Sequence, residues 1–544
     1  MKHLLTLLML RLAFSAAVVS QAADAGQDLH LTFRSTVDDT EQPYRLYVPS
    51  AYDGKTLRPL VVALHGTGGT EATMFEKYGE GRIKTVAEKH GVLVVSPLAR
   101  GATEFRGIGE HEVLCVLAEV RKHYRIDPER IYCTGHSMGG TGSAYLALHH
   151  PELFAAVAPL AAAYSFPWLA VNGKHVPFWW MLGGKDYPPY LVGVHAGADK
   201  MIALGQKTKI QVLEGRGHGD WVADAFDEVF AWFLQHRRVA HPREYVFAAD
   251  TPLHGQAYST AIDRLAQPGR IGTVTVRVGD QTVDVKTEGV AEFSVLPDPA
   301  LIDLAKVFRV SVEGADVFAG KIGAHQEVKC SKEGSQWTAT TTARRNRDLT
   351  NWRIHPIATA PDEVAIEGIE SPLGNWTADA MRAATHADLA LFNRRHYRGR
   401  PIPKGSVDII DVIQAIRPFD QYLVTAELTG AEVLRILEDN IREPVADIVE
   451  DRLVQVSGAH YAFDRSLPMG HRIVSSDLDP ARKYTVVLEG QVPERETMYL
   501  AGNFGKLTCR TTDIPFSTAL YAHAVASGKI VGPVEGRVRE VKGK

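Results

Sequence analysis

Few folds can hold the segment RIYCTGHSMGGTGSAYLALHH, residues 130–150. It begins as a short apolar run of the kind buried in a sheet and continues as a small-residue stretch that reads as a helix. Where the two meet, Gly135-His136-Ser137-Met138-Gly139 satisfies G-x-S-x-G. In a strand-to-helix context that pattern is a strained turn which lifts a serine hydroxyl above the sheet, and the flanking glycines let neighbouring elements come close enough to hold it. Such a turn belongs among parallel strands joined by helices, so the segment predicts an α/β fold.

The chain around it agrees. Apolar runs at 57–66 (LRPLVVALHG), 91–99 (GVLVVSPLA), 154–162 (FAAVAPLAA), 177–186 (PFWWMLGGKD) and 209–218 (KIQVLEGRGH) each read as a buried strand delivering a loop. Residues 110–124 and 223–238 between and after them have apolar side chains at helical spacing, and VAHPRE (239–244) reads as a linker. The α/β domain is expected over residues 28–238. From 243 to 345 the texture changes to short alternating strands, with TVTVRVGDQTVDV as a hairpin that turns at Gly279-Asp280 and FRVSVEGADVFAG repeating the device at Gly314. This β-rich module shows no His, Asp, Glu or Ser cluster at catalytic spacing, and a packing or spacer role is expected. Residues 350–544 mix helices and strands and are long enough to fold as an α+β domain.

At 544 residues and 45% hydrophobic, the chain can build several cores. A net charge of −4 gives no global attraction to nucleic acid or anionic membrane, and neither is expected as a partner. The N-terminal stretch combines Lys2, an apolar run and small residues at Ser20 and Ala22, as a cleaved leader over 1–22 would; Arg11 interrupts the run, which disfavours an anchor. A secreted or periplasmic protein without a membrane span is expected. The four cysteines include no C-x-x-C pair, and Cys115 and Cys133 sit in apolar surroundings as buried thiols do. No metal and no cofactor is expected.

A serine hydroxyl becomes a nucleophile when an imidazole takes its proton and a carboxylate orients that imidazole. In folds with this turn the partners follow in the order Ser, Asp, His, each from a loop after a strand. Asp186 closes the run at 177–186 and His218 the run at 209–218, so Ser137, His218 and Asp186 are the expected catalytic set. Asp199, Asp220 and Asp224 lie in helical or post-histidine positions instead. His149 and His150 end a helix and His123 lies within one, where solvated or capping histidines are expected. For a developing oxyanion, the glycine-rich loop LHGTGG (64–69) offers a backbone N–H at Thr67, with Gly66 second, and Met138 offers the other. Tyr187 and Trp221 are candidates to wall a substrate pocket, whereas Trp179 and Trp180 read as core.

LHGTGG, the segment from Arg125 through GHSMGG to Ala162, GGKD and GHGDW together resemble the secreted esterases of the α/β-hydrolase family, which include feruloyl and acetylxylan esterases, polyhydroxyalkanoate depolymerases and related peptidases. The resemblance covers roughly residues 40–236 and implies an ester substrate, small or polymeric, with Ser137 as nucleophile, His218 as base and Asp186 as orienting acid. A serine peptidase on the same residues is the alternative within this family.

Further along, AIEGIESPLGNWTADAMR, ADLALFN, IPKGSVDIIDVIQAIRPF and LTGAEVLRILEDN resemble the C-terminal domain of secreted 5'-nucleotidases over about 364–530. In that family the domain holds a nucleoside between aromatic rings, while a separate two-metal domain cleaves phosphate. The metal-ligand motifs of that second domain do not occur in this sequence. The resemblance carries Asn393, Arg398, Phe419 and Phe504 over as a ligand site for a nucleotide or another anion, but Arg394, Arg395 and His396 replace the family's glycines and Gln421 its asparagine. Bulky residues where bare backbone met the ligand imply altered nucleotide binding. A nucleotide-binding or nucleotidase-related protein, with the hydrolase domain secondary, is the reading from a different class.

Overall fold

The computed structural model describes residues 26–347, 356–394, 397, 400–416, 422–442, 453–489 and 508–541. The expected leader lies outside them. Eight strands, β1 (Gln27–Arg34), β2 (Glu41–Val48), β3 (Arg58–Leu64), β4 (Leu93–Pro97), β5 (Ile126–His136), β6 (Ala156–Leu160), β7 (Phe178–Gly183) and β8 (Thr208–Leu213), form one sheet in the order β1-β2-β4-β3-β5-β6-β7-β8. β2 runs antiparallel to both β1 and β4, and every pairing from β4 to β8 is parallel. Central strands of such a sheet are covered on both faces, which is why they read as continuous apolar runs and not as alternating ones. Helices Ile108–His123, Met138–His149 and Pro188–Ala203 cover one face through Val116, Leu146 and Val194. Arg82–His90 and Val222–Phe233 cover the other through Val86, Phe226 and Val229.

The β-rich region is two five-stranded sheets packed face to face. Val274, Val276 and Val278 all point inward, and Val276 and Val278 pair with Val285 and Val283 across the expected hairpin. An edge of one sheet is β9 (Glu244–Ala249), which pairs on one side only, with Gly272–Val278. On its other side Asn172 from the region of the eight-stranded sheet reaches Ala248 twice: its Oδ1 accepts the Ala248 N–H at 2.7 Å and its Nδ2 donates to the Ala248 carbonyl at 2.8 Å.

In the C-terminal region a five-stranded sheet runs in the order Val454–Ser457, Leu389–Asn393, Lys483–Leu488, Tyr422–Thr429, Cys509–Pro515, with separate apolar clusters packed about it. Its helix Gly430–Asp439 starts at a reciprocal capping box between Thr429 and Glu432, which contributes about 1 kcal/mol. This region touches both others: Tyr422 packs edge-on to Trp168 at 5.6 Å, and Thr518 Oγ1 donates to the Gly269 carbonyl at 3.0 Å. No helix among the described residues is long and apolar enough to cross a membrane.

Candidate active site

Ser137 stands at the end of β5 with φ 58° and ψ −115°, a backbone state that costs a non-glycine residue roughly 1–3 kcal/mol and persists only under constraint. Its N–H donates to the Leu160 carbonyl of β6 at 2.9 Å. A methyl group on Gly139 would sit 2.2 Å from the Leu64 carbonyl oxygen, and one on Gly135 would sit 2.4 Å from that of Gly139, so only glycine lets β3, β5 and the following helix close around the serine.

Asp186, in the loop after β7, has a side chain only 1% exposed; His218 follows β8 and is part-exposed. His218 Nδ1 lies 2.9 and 3.0 Å from the two Asp186 oxygens, and its Nε2 lies 2.8 Å from Ser137 Oγ. Asp186 also accepts the Tyr187 N–H at 2.6 Å, which holds the carboxylate in place. With Nδ1–H donated to Asp186, the Nε2 lone pair points at the serine hydroxyl, as proton abstraction requires.

The residues after β3 lie against this group: a Cβ on Gly66 would be 3.5 Å from that of Ser137. The Gly69 N–H closes a turn on the Gly66 carbonyl at 3.0 Å, and Thr67 is exposed at its tip. Met138 is the first residue of its helix, so its N–H has no intrahelical acceptor. The buried His65 ring bridges the loop to the end of β4, with Nδ1 2.9 Å from the Gly66 carbonyl and Nε2 3.0 Å from that of Leu98.

Two neighbours carry no signal in the sequence beyond their type. His136, an x of G-x-S-x-G, donates from Nε2 to the His218 carbonyl at 2.8 Å and accepts the Tyr78 hydroxyl at Nδ1 at 2.6 Å. Burial pushes the His136 imidazole down to about 4, so it is neutral and fits this single-donor pattern. The ring ties the His218 loop to the serine turn. Tyr190 brings its ring to 5.5 Å from that of His218, and the exposed Tyr187 packs edge-on against Tyr190 at 5.4 Å.

Other expectations are corrected. Trp221 is 1% exposed, lies in the core with Phe226 and Phe230, and donates to the Gly217 carbonyl at 2.9 Å, so it packs as a core side chain. His149 and His150 are buried, not solvated, because the helix they end is covered by the β-rich region. That region is correspondingly more than a spacer, since its Asp250 and His254 meet these histidines and Glu110. Asp199, Asp220 and Asp224 engage His195, the Gly217 N–H and Arg216 respectively. In the C-terminal region Asn393 is buried and its N–H donates to Glu489 at 3.3 Å. Arg394 donates to the carbonyls of Gly368 at 2.6 Å and Ile366 at 3.4 Å. Arg395, His396, Arg398, Phe419, Gln421 and Phe504 lie outside the described residues.

Residues 110–240 match a family model described as "Putative esterase", and residues 356–490 match "5'-nucleotidase, C-terminal domain". A poly(3-hydroxyalkanoate) depolymerase C of Paucimonas lemoignei is 28% identical over 183 residues, 31% of this chain and 42% of that protein. The "Putative esterase NocK" of Nocardia uniformis subsp. tsuyamanensis is 32% identical over 136 residues, 23% and 39% of the two chains. The matches thus span about two fifths of these relatives' length. Among solved structures, a 5'-nucleotidase precursor from Thermus thermophilus aligns at 20% identity and TM-score 0.32, over 44% of this chain and 54% of that one. By its two family matches, the chain joins an esterase-like α/β-hydrolase domain to a 5'-nucleotidase C-terminal domain.

Proposed function

We infer that this protein is a serine hydrolase of carboxylic esters. The observation that carries the reading is the continuous Ser137–His218–Asp186 hydrogen-bonded chain on a strained serine turn. Ser137 Oγ attacks the ester carbonyl while His218 Nε2 takes its proton. The oxyanion is met by the backbone N–H of Met138 and that of Thr67, the imidazolium is stabilised by Asp186, and His218 then protonates the departing alcohol. Water, activated by the same imidazole, releases the acyl group and restores the serine. No step requires a metal ion or cofactor. The esterase match and the esterase and depolymerase relatives favour an ester over an amide as the scissile bond. The leader-like N-terminus makes a secreted or periplasmic location part of the proposal.

A panel of p-nitrophenyl acyl esters tests the reading. Ser137→Ala is expected to lower kcat by roughly 10⁴- to 10⁶-fold at unchanged fold. Turnover that survives this substitution overturns the assignment of the nucleophile.

A further inference from the structure

About 16 Å along the helix from the serine turn, its last residue meets the β-rich region in a group of two buried imidazoles and a part-buried carboxylate: His149, His254 and Asp250. One candidate ligand atom from each lies within 4.8 Å of the other two. His149 Nε2 is 3.2 and 3.3 Å from the Asp250 oxygens, and His254 Nδ1 is 3.9 Å from Asp250 Oδ1. Around a tetrahedral zinc with bonds of about 2.0–2.1 Å, ligand atoms sit about 3.3 Å apart, so the three need little movement to share an ion.

The remaining ring nitrogens are already held. His149 Nδ1 lies 2.9 Å from the Tyr145 carbonyl, and His254 Nε2 lies 2.9 Å from Glu110 Oε2. Metal-bound histidines characteristically donate their other N–H to a backbone carbonyl or a carboxylate, and this pair does one of each. Glu110 is held in turn, by His150 Nε2 at 2.6 Å and the Tyr145 hydroxyl at 3.2 Å. With His149 Nδ1–H on Tyr145, its Nε2 lone pair faces a carboxylate at hydrogen-bond distance. Two acceptors so placed are satisfied by a proton or by a metal ion between them. Thr251 Oγ1, 3.4 Å from His254 Nδ1, is the other polar group at that nitrogen.

We propose that His149 Nε2, His254 Nδ1 and the Asp250 carboxylate bind one divalent first-row transition metal ion, zinc by preference. Mixed imidazole and carboxylate donors suit such ions and not calcium or magnesium. Asp250, His254 and Tyr145 also line a cavity of about 710 Å³ bordered by the hydrolase, the β-rich region and the C-terminal region, from which a water completes four-fold coordination. The ion stands apart from Ser137 and joins the helix carrying the serine to the module behind it.

The full-length chain, stripped with a chelator and dialysed, is titrated with Zn²⁺ and separately with Co²⁺. The expected result is one equivalent of Zn²⁺ bound per chain, a rise in Tm on binding, and a visible d–d absorption from Co²⁺ in a site of low coordination number. Asp250→Asn, nearly isosteric, and His149→Ala are each expected to lose the equivalent and the Co²⁺ absorption. Stripped wild-type chain that takes up neither ion and shows no Tm change overturns the proposal and leaves a proton-bridged ion-pair cluster. Asp250→Asn that keeps the wild-type Co²⁺ spectrum overturns it as well. The wild-type titration decides the matter even if a variant fails to fold.

Discussion

His136 is held neutral by burial while its Nδ1 accepts from Tyr78 and its Nε2–H holds the His218 backbone. Its folded-state value, about 4, lies below the usual 6.5, so between those pH values the unfolded chain takes a proton that the folded chain refuses. Its contribution is therefore intact above about pH 6.5 and is lost as pH falls toward 4, on the order of 3 kcal/mol in all. Denaturant unfolding at pH 7 and pH 4.5 should show this loss in wild type and a smaller one in His136→Gln. Tyr78→Phe leaves Nδ1 without its donor in a buried site, at a cost of about 1–3 kcal/mol. Because the contact positions His218 and touches no substrate, we expect kcat on a p-nitrophenyl ester to fall several-fold with KM nearly unchanged.

At the scale of elements, the site is a set of strand ends. β5, β7 and β8 run parallel, so the loops after them emerge on one edge of the sheet, and this is why apolar runs ending in Ser137, Asp186 and His218 suffice to bring the three together. Gly139 and Gly183 are the tightest points of that assembly, a Cβ on Gly183 falling 2.0 Å from the Gly217 carbonyl oxygen. Gly139→Ala forces a methyl group into the Leu64 carbonyl and is expected to cost several kcal/mol, read as a large drop in Tm and insoluble expression. The runs at β5 and β7 were legible because those strands are buried toward the site, whereas the run at 209–218, read as buried, is the half-exposed edge strand β8. Trp221 was not legible, since an aromatic beside a functional histidine has the same sequence context whether it faces ligand or core. The contacts of His149 were illegible for another reason: Asp250 and His254 come from a separate region about 100 residues later, and no local spacing announces a meeting across a domain boundary. Tyr78 likewise comes from a loop with no period or motif.

Across the whole molecule, the parts are fastened by specific polar contacts as well as by apolar packing. Glu110 and His149 engage residues of the β-rich region, and Thr518 and Tyr422 extend the fastening to the C-terminal region. Asn172 gives the fastening a second meaning. Its carboxamide presents one donor and one acceptor to Ala248 in the arrangement a neighbouring strand would use, so the hydrolase part supplies β9 with a counterfeit of one more strand. A sheet edge left open invites pairing with another copy of itself. Chain cut to begin near residue 243 should therefore fold only to self-associate, with light scattering or sedimentation showing dimers and larger species that the full-length protein does not form. Asn172→Leu in the intact chain should show the same tendency more weakly. Asn172, with His175 on the Glu244 carbonyl, thus gives this edge of the sheet polar partners from another part of the same chain.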